Sequence, residues 1–283
     1  MNKKILLKRM RSNPFFVIGL FFALILVLLT MLSPLYVHYD PLQNALMEKF
    51  QPPEWFARGM EGHILGTDQM GRDILSRLMI GGRISLTIAF SAVAIMTFVG
   101  TVLGIIAGYF GGIVDSIIMR LCDVCMAIPP LILAVSVMSV LGVNTFNLIL
   151  VVAFSQWVGC CRVTRNNVRV VKGMEFVHAS EVLGAKKSHI MFRQIFPNVT
   201  TQIIIIASQK IGLSILLEAS LSFLSLGVPA PQPSWGNMIA AGRSYMMVCP
   251  WLVIVPGIAL MITVLAFNFL GDGLRDILDP KMD

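Results

Sequence analysis

Few side chains in this sequence have both the type and the spacing to do chemistry, and the most ordered set lies in an apolar run. Lys210, Ser214, Glu218, Ser222 and Ser225 follow one another at i, i+4, i+8, i+12 and i+15, which lays them along one stripe of a helix. An ionisable group at the centre of an apolar helix costs roughly 2.5–3.5 kcal/mol, so it marks either a polar path or a paired structural site. In the first reading the stripe lines a path through an apolar layer. In the second, Lys210 pairs with a neighbour and the serines join helices. Glu218 lies about 12 Å along the helix from Lys210, too far for a direct ion pair. Its carboxylate is therefore expected to meet water and other polar groups, and to be reachable from such a path. Arg120 and Asp123, at i and i+3, read as a structural pair.

Sets suited to catalysis or metal binding are weaker. Cys122 and Cys125 are spaced C-x2-C and Cys160 adjoins Cys161, but neither pair has a histidine or a further cysteine at ligand spacing. In apolar surroundings these thiols read as small hydrophobes, and no bound metal is expected. The count of five, with Cys249 unmatched, argues against a disulfide framework. His38, His63, His178 and His189 are scattered, and neither an H-E-x-x-H nor a GxxxxGK[ST] motif occurs. The chain is not expected to be an enzyme or to bind ATP through a Walker-type loop. Any energy it uses must come from an ion gradient or from another subunit.

The elements that carry these residues follow from composition. Of 283 residues 56% are hydrophobic and 13% charged, and the mean hydropathy is +0.80. A soluble domain carries about 25% charge, so the soluble globular class is excluded, and disorder with it. The net charge of +7 comes from 22 basic and 15 acidic residues. The basic ones sit mostly between apolar runs, a pattern that orients a membrane protein rather than one that binds nucleic acid. The fold class is an all-α polytopic membrane protein.

Six spans of membrane length are expected. The first has its core at Phe15–Val37, behind a basic head of Lys3, Lys4, Lys8, Arg9 and Arg11. It is too long for a signal peptide and lacks an A-x-A site, so it reads as a retained helix. Residues 38–83 form a polar segment, in which Ile74, Leu75, Leu78 and Met79 predict a short amphipathic helix on the membrane surface. The later spans are expected at about 84–108, 116–140, 145–161, 199–226 and 251–270. Between them, residues 162–197 form a basic loop and residues 227–237 a Gly- and Pro-rich one. The charge asymmetry places both termini and the 162–197 loop in the cytoplasm, and the 38–83 segment outside. Two parts are expected: residues 1–83 with the first span and the external segment, and a core of five spans over 84–283.

The 162–197 loop carries the most information. Glu175 to Leu183 favours a helix, Gly184 breaks it, Lys186 to Ile195 can start a second helix, and Pro197 stops that one. Two short helices joined by a glycine make a compact knob. A glycine in that place is suited to φ > 0.

These residues resemble the EAA coupling loop of ABC-importer permeases, with His178-Ala179-Ser180, then Gly184, then Ile195-Phe196-Pro197. His178 stands where the family usually has Glu, and Ser180 where it has Ala. Residues 63–86 (HILGTDQMGRDILSRLMIGGRISL), 218–239 (EASLSFLSLGVPAPQPSWGNMI) and 266–283 (AFNFLGDGLRDILDPKMD) resemble the second, "C", subunit of dipeptide/oligopeptide/nickel permeases. The resemblance implies a type I importer fold with six transmembrane helices in the bacterial inner membrane. It also implies a second permease subunit, two cytoplasmic ATPases that use ATP and Mg, and an external substrate-binding protein. This chain would bind no cofactor itself. Glu175, His178, Ala179, Ser180, Gly184, Ala185, Phe196 and Pro197 would form the ATPase-coupling loop. Lys210, Ser214, Glu218 and Ser222 would line the translocation path. The cargo implied is a di- or oligopeptide, with glutathione or a nickel or metal chelate as alternatives. An ATP-independent secondary transporter would show inverted repeats or broken helices, and a membrane scaffold would need neither stripe nor knob.

Overall fold

Asn13 and Pro14 start the first long helix. The computed structural model describes residues 9–56, 59 and 61–278; Lys3, Lys4 and Lys8 of the basic head, Arg58 and the last five residues lie outside the described residues. Helix α1 spans Pro14–Met31, with the Asn13 side chain accepting from the Phe16 N–H at 3.0 Å and Pro14 at a position whose N–H is not needed. A four-residue helix, α2 (Ser33–Tyr36), follows. The polar segment after it is closed by charge. Asp68 accepts from Arg72 Nε at 2.8 Å and lies 3.4 Å from Arg77 Nε, while His63 Nδ1 is 2.9 Å from Asp73.

Asp73 then caps α3 (Ile74–Phe110), accepting from the Ser76 N–H at 2.7 Å. At 37 residues this helix is about 55 Å long, well beyond a bilayer core of about 30 Å. The surface helix expected around Ile74–Met79 is therefore the first turns of the span itself, and the boundary expected at residues 83 and 84 falls inside one helix. Nothing breaks the chain there. Gly81 and Gly82 are places of close approach, where a Cβ on Gly82 would stand 2.5 Å from the Trp235 ring and 2.6 Å from Thr30.

The next two spans are bent. Helices α4 (Gly112–Ala127) and α5 (Pro130–Leu141) meet at 89°, and α6 (Thr145–Phe154) and α7 (Trp157–Lys172) at 40°. The straight span expected at 116–140 is thus corrected to an angled pair. Pro129 and Pro130 explain it, because the residue before a proline is pushed out of the α region, and Ile128 is extended. The second bend falls at Ser155, whose hydroxyl donates to the Val151 carbonyl at 2.7 Å, a back-bond that bends helices. The fourth span does not end at Cys161. Cys160, Cys161, Thr164, Val168 and Val171 keep one face of α7 buried through Lys172, so the connecting loop starts at Gly173 rather than at residue 162.

Helix α8 (Glu175–Val182) precedes α9 (Lys187–Phe223), whose ladder widens to π bonding over Ile190–Ile195. Then come α10 (Trp235–Gly242) and α11 (Trp251–Leu278). Four helices (α1, α3, α9 and α11) are long and apolar enough to cross a membrane, and up to six spans result if each bent pair counts as one. Asn13 Nδ2 donates to Asp276 at 3.2 Å and Gln209 Nε2 to Asp272 at 3.1 Å. The start of α1 thus lies beside the end of α11. Helix α11 runs antiparallel to α9, with Gly271 beside Gln209 and Gly212 beside Val264, so the α8 side of α9 points toward that same end.

Candidate functional site

The segment between α7 and α9 is a hairpin locked by its own backbone. The Ala185 N–H bonds to the Ser180 carbonyl and the Gly184 N–H to the Glu181 carbonyl, both at 3.0 Å. That pair of bonds is a Schellman ending, and Gly184 supplies the left-handed residue with φ +78. Ser180 does a second task, since its hydroxyl accepts from Gln194 Nε2 at 2.6 Å and ties α8 to the π stretch. Val177, Ile190 and Ile195 are buried against Ile105 and Tyr109 of α3, Val168 and Val171 of α7, and Val199 and Ile203 further along α9. Lys172 Nζ donates to the Tyr109 carbonyl at 2.7 Å and fixes the base of the hairpin.

At its tip this frame presents apolar side chains outward. Val182 is 87% exposed and Leu183 86%, and Phe192 in the π stretch is also exposed. Glu175, His178, Ala179 and Gly184 lie on the exposed surface of the same hairpin, and Ala185 is half-buried. His178 Nδ1 sits 3.7 Å from Glu181. Pro197 does not stop the second helix as its type suggested. The π stretch ends at Ile195, and the ring stands in the first turn of the α-helical part, where its missing N–H costs little. Phe196 and Pro197 are exposed at the root of the hairpin.

The polar stripe divides into two faces. Lys210, Leu213, Leu217 and Ser220 border a cavity of about 710 Å3 that also touches Pro130, Gln156 and Arg162 at the two bends. Ser214, Glu218 and Ser222 are instead turned into the bundle and buried. Ser214 accepts from Gln156 Nε2 at 2.9 Å and so supports the cavity wall from behind. The expectation that Glu218 is reachable from an open path is corrected here: its side chain is 0% exposed. Ser222 Oγ donates to one carboxyl oxygen at 2.7 Å and Ser85 Oγ to the other at 3.0 Å. The carboxyl thus joins α9 to α3, and Ser234, which caps α10 through the Asn237 N–H, lies 3.4 Å from Ser222 Oγ. Ser225 leaves the stripe altogether, in the loop after α9.

Charge pairs between helices also differ from expectation. Asp123 pairs with Arg162 across to α7 rather than with Arg120, because α7 continues past its expected end and brings its arginines alongside α4. Asp115 takes Arg165 at 2.5 Å and Arg169 at 2.6 Å on the same helix. A further set is visible in the sequence as G-x3-G-x3-G, a spacing that marks close helix packing in membranes. Gly100, Gly104 and Gly108 lie against the backbone of α7, where built Cβ atoms would stand 2.7–2.9 Å from their nearest atoms or carbonyl oxygens. All five cysteines are free. Among the described residues no three His, Cys, Asp or Glu side chains converge to hold a metal ion.

Comparison with known proteins places this arrangement. Residues 100–283 match the family described as "Binding-protein-dependent transport system inner membrane component". Residues 4–53 match the "N-terminal TM domain of oligopeptide transport permease C". The chain is 40% identical over 272 residues to the dipeptide transport system permease protein of Haemophilus influenzae, covering 96% of this chain and 92% of that protein. It is 36% identical over 274 residues to the oligopeptide transport system permease protein of Bacillus subtilis, covering 97% and 88%. It is 44% identical over 220 residues to the glutathione transport system permease protein of Pectobacterium atrosepticum, covering 78% and 73%. The chain therefore belongs to the binding-protein-dependent transport system inner membrane components, as a multi-pass permease subunit of an ABC importer rather than an enzyme.

Proposed function

We propose that this chain is one of two homologous permease subunits of an ATP-driven importer of di- or oligopeptides in a bacterial inner membrane. One observation carries the reading: an apolar tip at Val182 and Leu183, locked by a Schellman turn at Gly184, leads through Ala185 and Lys186 into a 37-residue helix that borders the cavity. The tip fits a groove on a cytoplasmic ATPase. Closure of two such ATPases on ATP and Mg would push α9 as a rod and swing the cavity wall by rigid-body motion. Glu175, His178, Ala179, Ser180, Gly184, Ala185, Phe196 and Pro197 form that coupling hairpin. Lys210 faces the translocation path, and Ser214, Glu218 and Ser222 brace it from behind. Peptide cargo follows the relatives named for dipeptides and oligopeptides; glutathione, named for another, is itself a small peptide.

Orientation follows from charge. Arg165, Arg169, Lys172, Lys186, Lys187 and Arg193 gather at the hairpin end, so that end and both termini face the cytoplasm. The 38–73 segment then faces outward and offers its surface to a substrate-binding protein. The test is co-expression with the cognate second permease, ATPases and binding protein in a host that lacks peptide uptake. Peptide uptake is expected, with loss of ATPase co-purification in Leu183→Asp. A cysteine at Lys186 should react with impermeant thiol reagents only in opened cells. Absence of peptide uptake by the complete set, or labelling of that cysteine in intact cells, overturns the reading.

A further inference from the structure

The cavity beside α9 has an uneven supply of charge. Two cations border it, Arg162 and Lys210, and none of its lining residues is a carboxylate. Arg162 is already committed to Asp123. Lys210 is half-buried, midway along the α-helical part of α9, and among the described residues its ammonium has neither an ion-pair nor a hydrogen-bond partner. Its Cε lies 3.9 Å from the position a Cβ on Gly159 would take, so no side chain stands at that point.

The neighbouring polar groups sharpen the asymmetry. Ser155 Oγ donates to the Val151 carbonyl and Ser220 Oγ to the Leu216 carbonyl, 2.7 and 2.8 Å away. Gln156 Nε2 is held by Ser214. These groups have spent their donors inside the protein and offer lone pairs outward. Among the described residues Lys210 is therefore the wall's one cation without an ion-pair partner; Arg162 Nε also lacks an acceptor, but that guanidinium is neutralised by Asp123. A lone ammonium away from bulk water is costly unless an anion meets it. The cavity, at about 710 Å3, lies within the range of small-molecule sites.

We propose that Lys210 is a cargo-recognition residue, an anion point in the translocation path that receives the C-terminal carboxylate of a passing peptide. This rests on the peptide-importer reading above. The competing sources of an oxyanion are a lipid phosphate and a carboxylate of the second permease. The peptide is favoured because Lys210 sits midway along the α-helical part of α9, about 20 Å from either end of it, and because its cavity has the volume of a ligand site.

The test uses the complete importer in phosphatidylcholine vesicles, with trialanine and trialanine amide as cargoes and the occupancy of the binding protein measured for each. Wild type is expected to move trialanine about tenfold faster per loaded binding protein, the usual worth of a charge-assisted bond. In Lys210→Gln the preference should collapse to within about twofold with amide uptake retained, and Lys210→Arg should keep it. Lys210→Cys should lose trialanine uptake and regain it on treatment with aminoethyl methanethiosulfonate, which restores an ammonium. This rescue reads the charge independently of folding and of the binding protein's own preference. An unchanged preference in Lys210→Gln, or no rescue, overturns the proposal while peptide import stands. Loss of the second permease on purification of Lys210→Gln assigns the charge to the subunit interface and overturns it as well. A preference seen only when phosphatidylglycerol is added points to lipid and overturns the proposal in the same way. Wild-type vesicles that move no peptide at all refute the function itself.

Discussion

Replacing Gly104 by alanine adds a single methyl group at the tightest part of the α3–α7 seam. The new Cβ would stand 2.7 Å from the Cys161 carbonyl oxygen, 2.7 Å from Thr164 Cβ and 3.0 Å from Thr164 Cγ2. Unstrained carbon–oxygen contacts begin near about 3.3 Å and carbon–carbon contacts near about 3.5 Å. The helices must therefore part by roughly 0.6–0.8 Å locally. The Cys161 carbonyl cannot rotate aside and Thr164 is buried, and overpacking of this kind costs about 1–3 kcal/mol. For a chain of this size each kcal/mol moves a thermal midpoint by roughly 2–4 °C, so a fall of about 2–12 °C is expected. A thiol-reactive dye is a suitable reporter, because Cys122, Cys160, Cys161 and Cys249 are buried and become reactive on unfolding. Gly257 on α11 is the control. It is also helical, but nothing lies within 4 Å of its built Cβ, so Gly257→Ala should hold or raise the midpoint through helix propensity. The reasoning is refuted if Gly104→Ala melts at or above wild type, or if the two substitutions lower the midpoint equally.

At Gly184 the cost has a different origin, since φ is +78 and the space around a Cβ is empty. Gly184→Ala should cost about 1–2 kcal/mol in backbone strain, Gly184→Asn less and Gly184→Val more; protection of the Ala185 amide in hydrogen exchange should fall roughly tenfold for Ala, and equal values for Asn and Val would sink the argument. Asp115 is 8% exposed between two arginines, whereas the Asp123 side chain is 65% exposed. Asp115→Asn should thus cost about 1–3 kcal/mol, against about 0–1 kcal/mol for Asp123→Asn. Thermal midpoints that rank the other way contradict this reading of α4.

Hydropathy located the long apolar segments but not α10, whose first residues fall in the loop expected at 227–237. Gly184 marked the turn of the hairpin, while Pro197 did not end it. Both signals are local, and both report on residues that fold against the same medium whatever their partners. The misplaced boundaries have a common cause. Arg162, Arg165 and Arg169 end the apolar average at Cys161, yet they occupy one side of α7 while Cys160, Thr164 and Val168 keep the other buried. Periodicity, not mean hydropathy, carried that information. Pro129 and Pro130 were also in plain view and are sufficient reason for the sharp bend. The fate of Glu218 was not legible at all. Its partner Ser85 is 133 positions away in the chain, and no spacing rule within α9 reveals it. The same holds for Asp123, whose partner depends on how far α7 runs.

The two bends have a consequence for what the cavity measures. Its edge is drawn by Met126 and Pro130 at one break and by Ser155 and Gln156 at the other. Behind the second break, α7 is clamped to α3 at the glycine seam, where backbone and the short side chains of Cys160, Thr164 and Val168 leave little room to readjust. Width thus answers to the hinge angles on one side and to Lys210, Leu213, Leu217 and Ser220 of α9 on the other. In the importer proposed above, a site built in this way would work as a calliper and not as a mould, its jaws moving apart or together as the bends open or close.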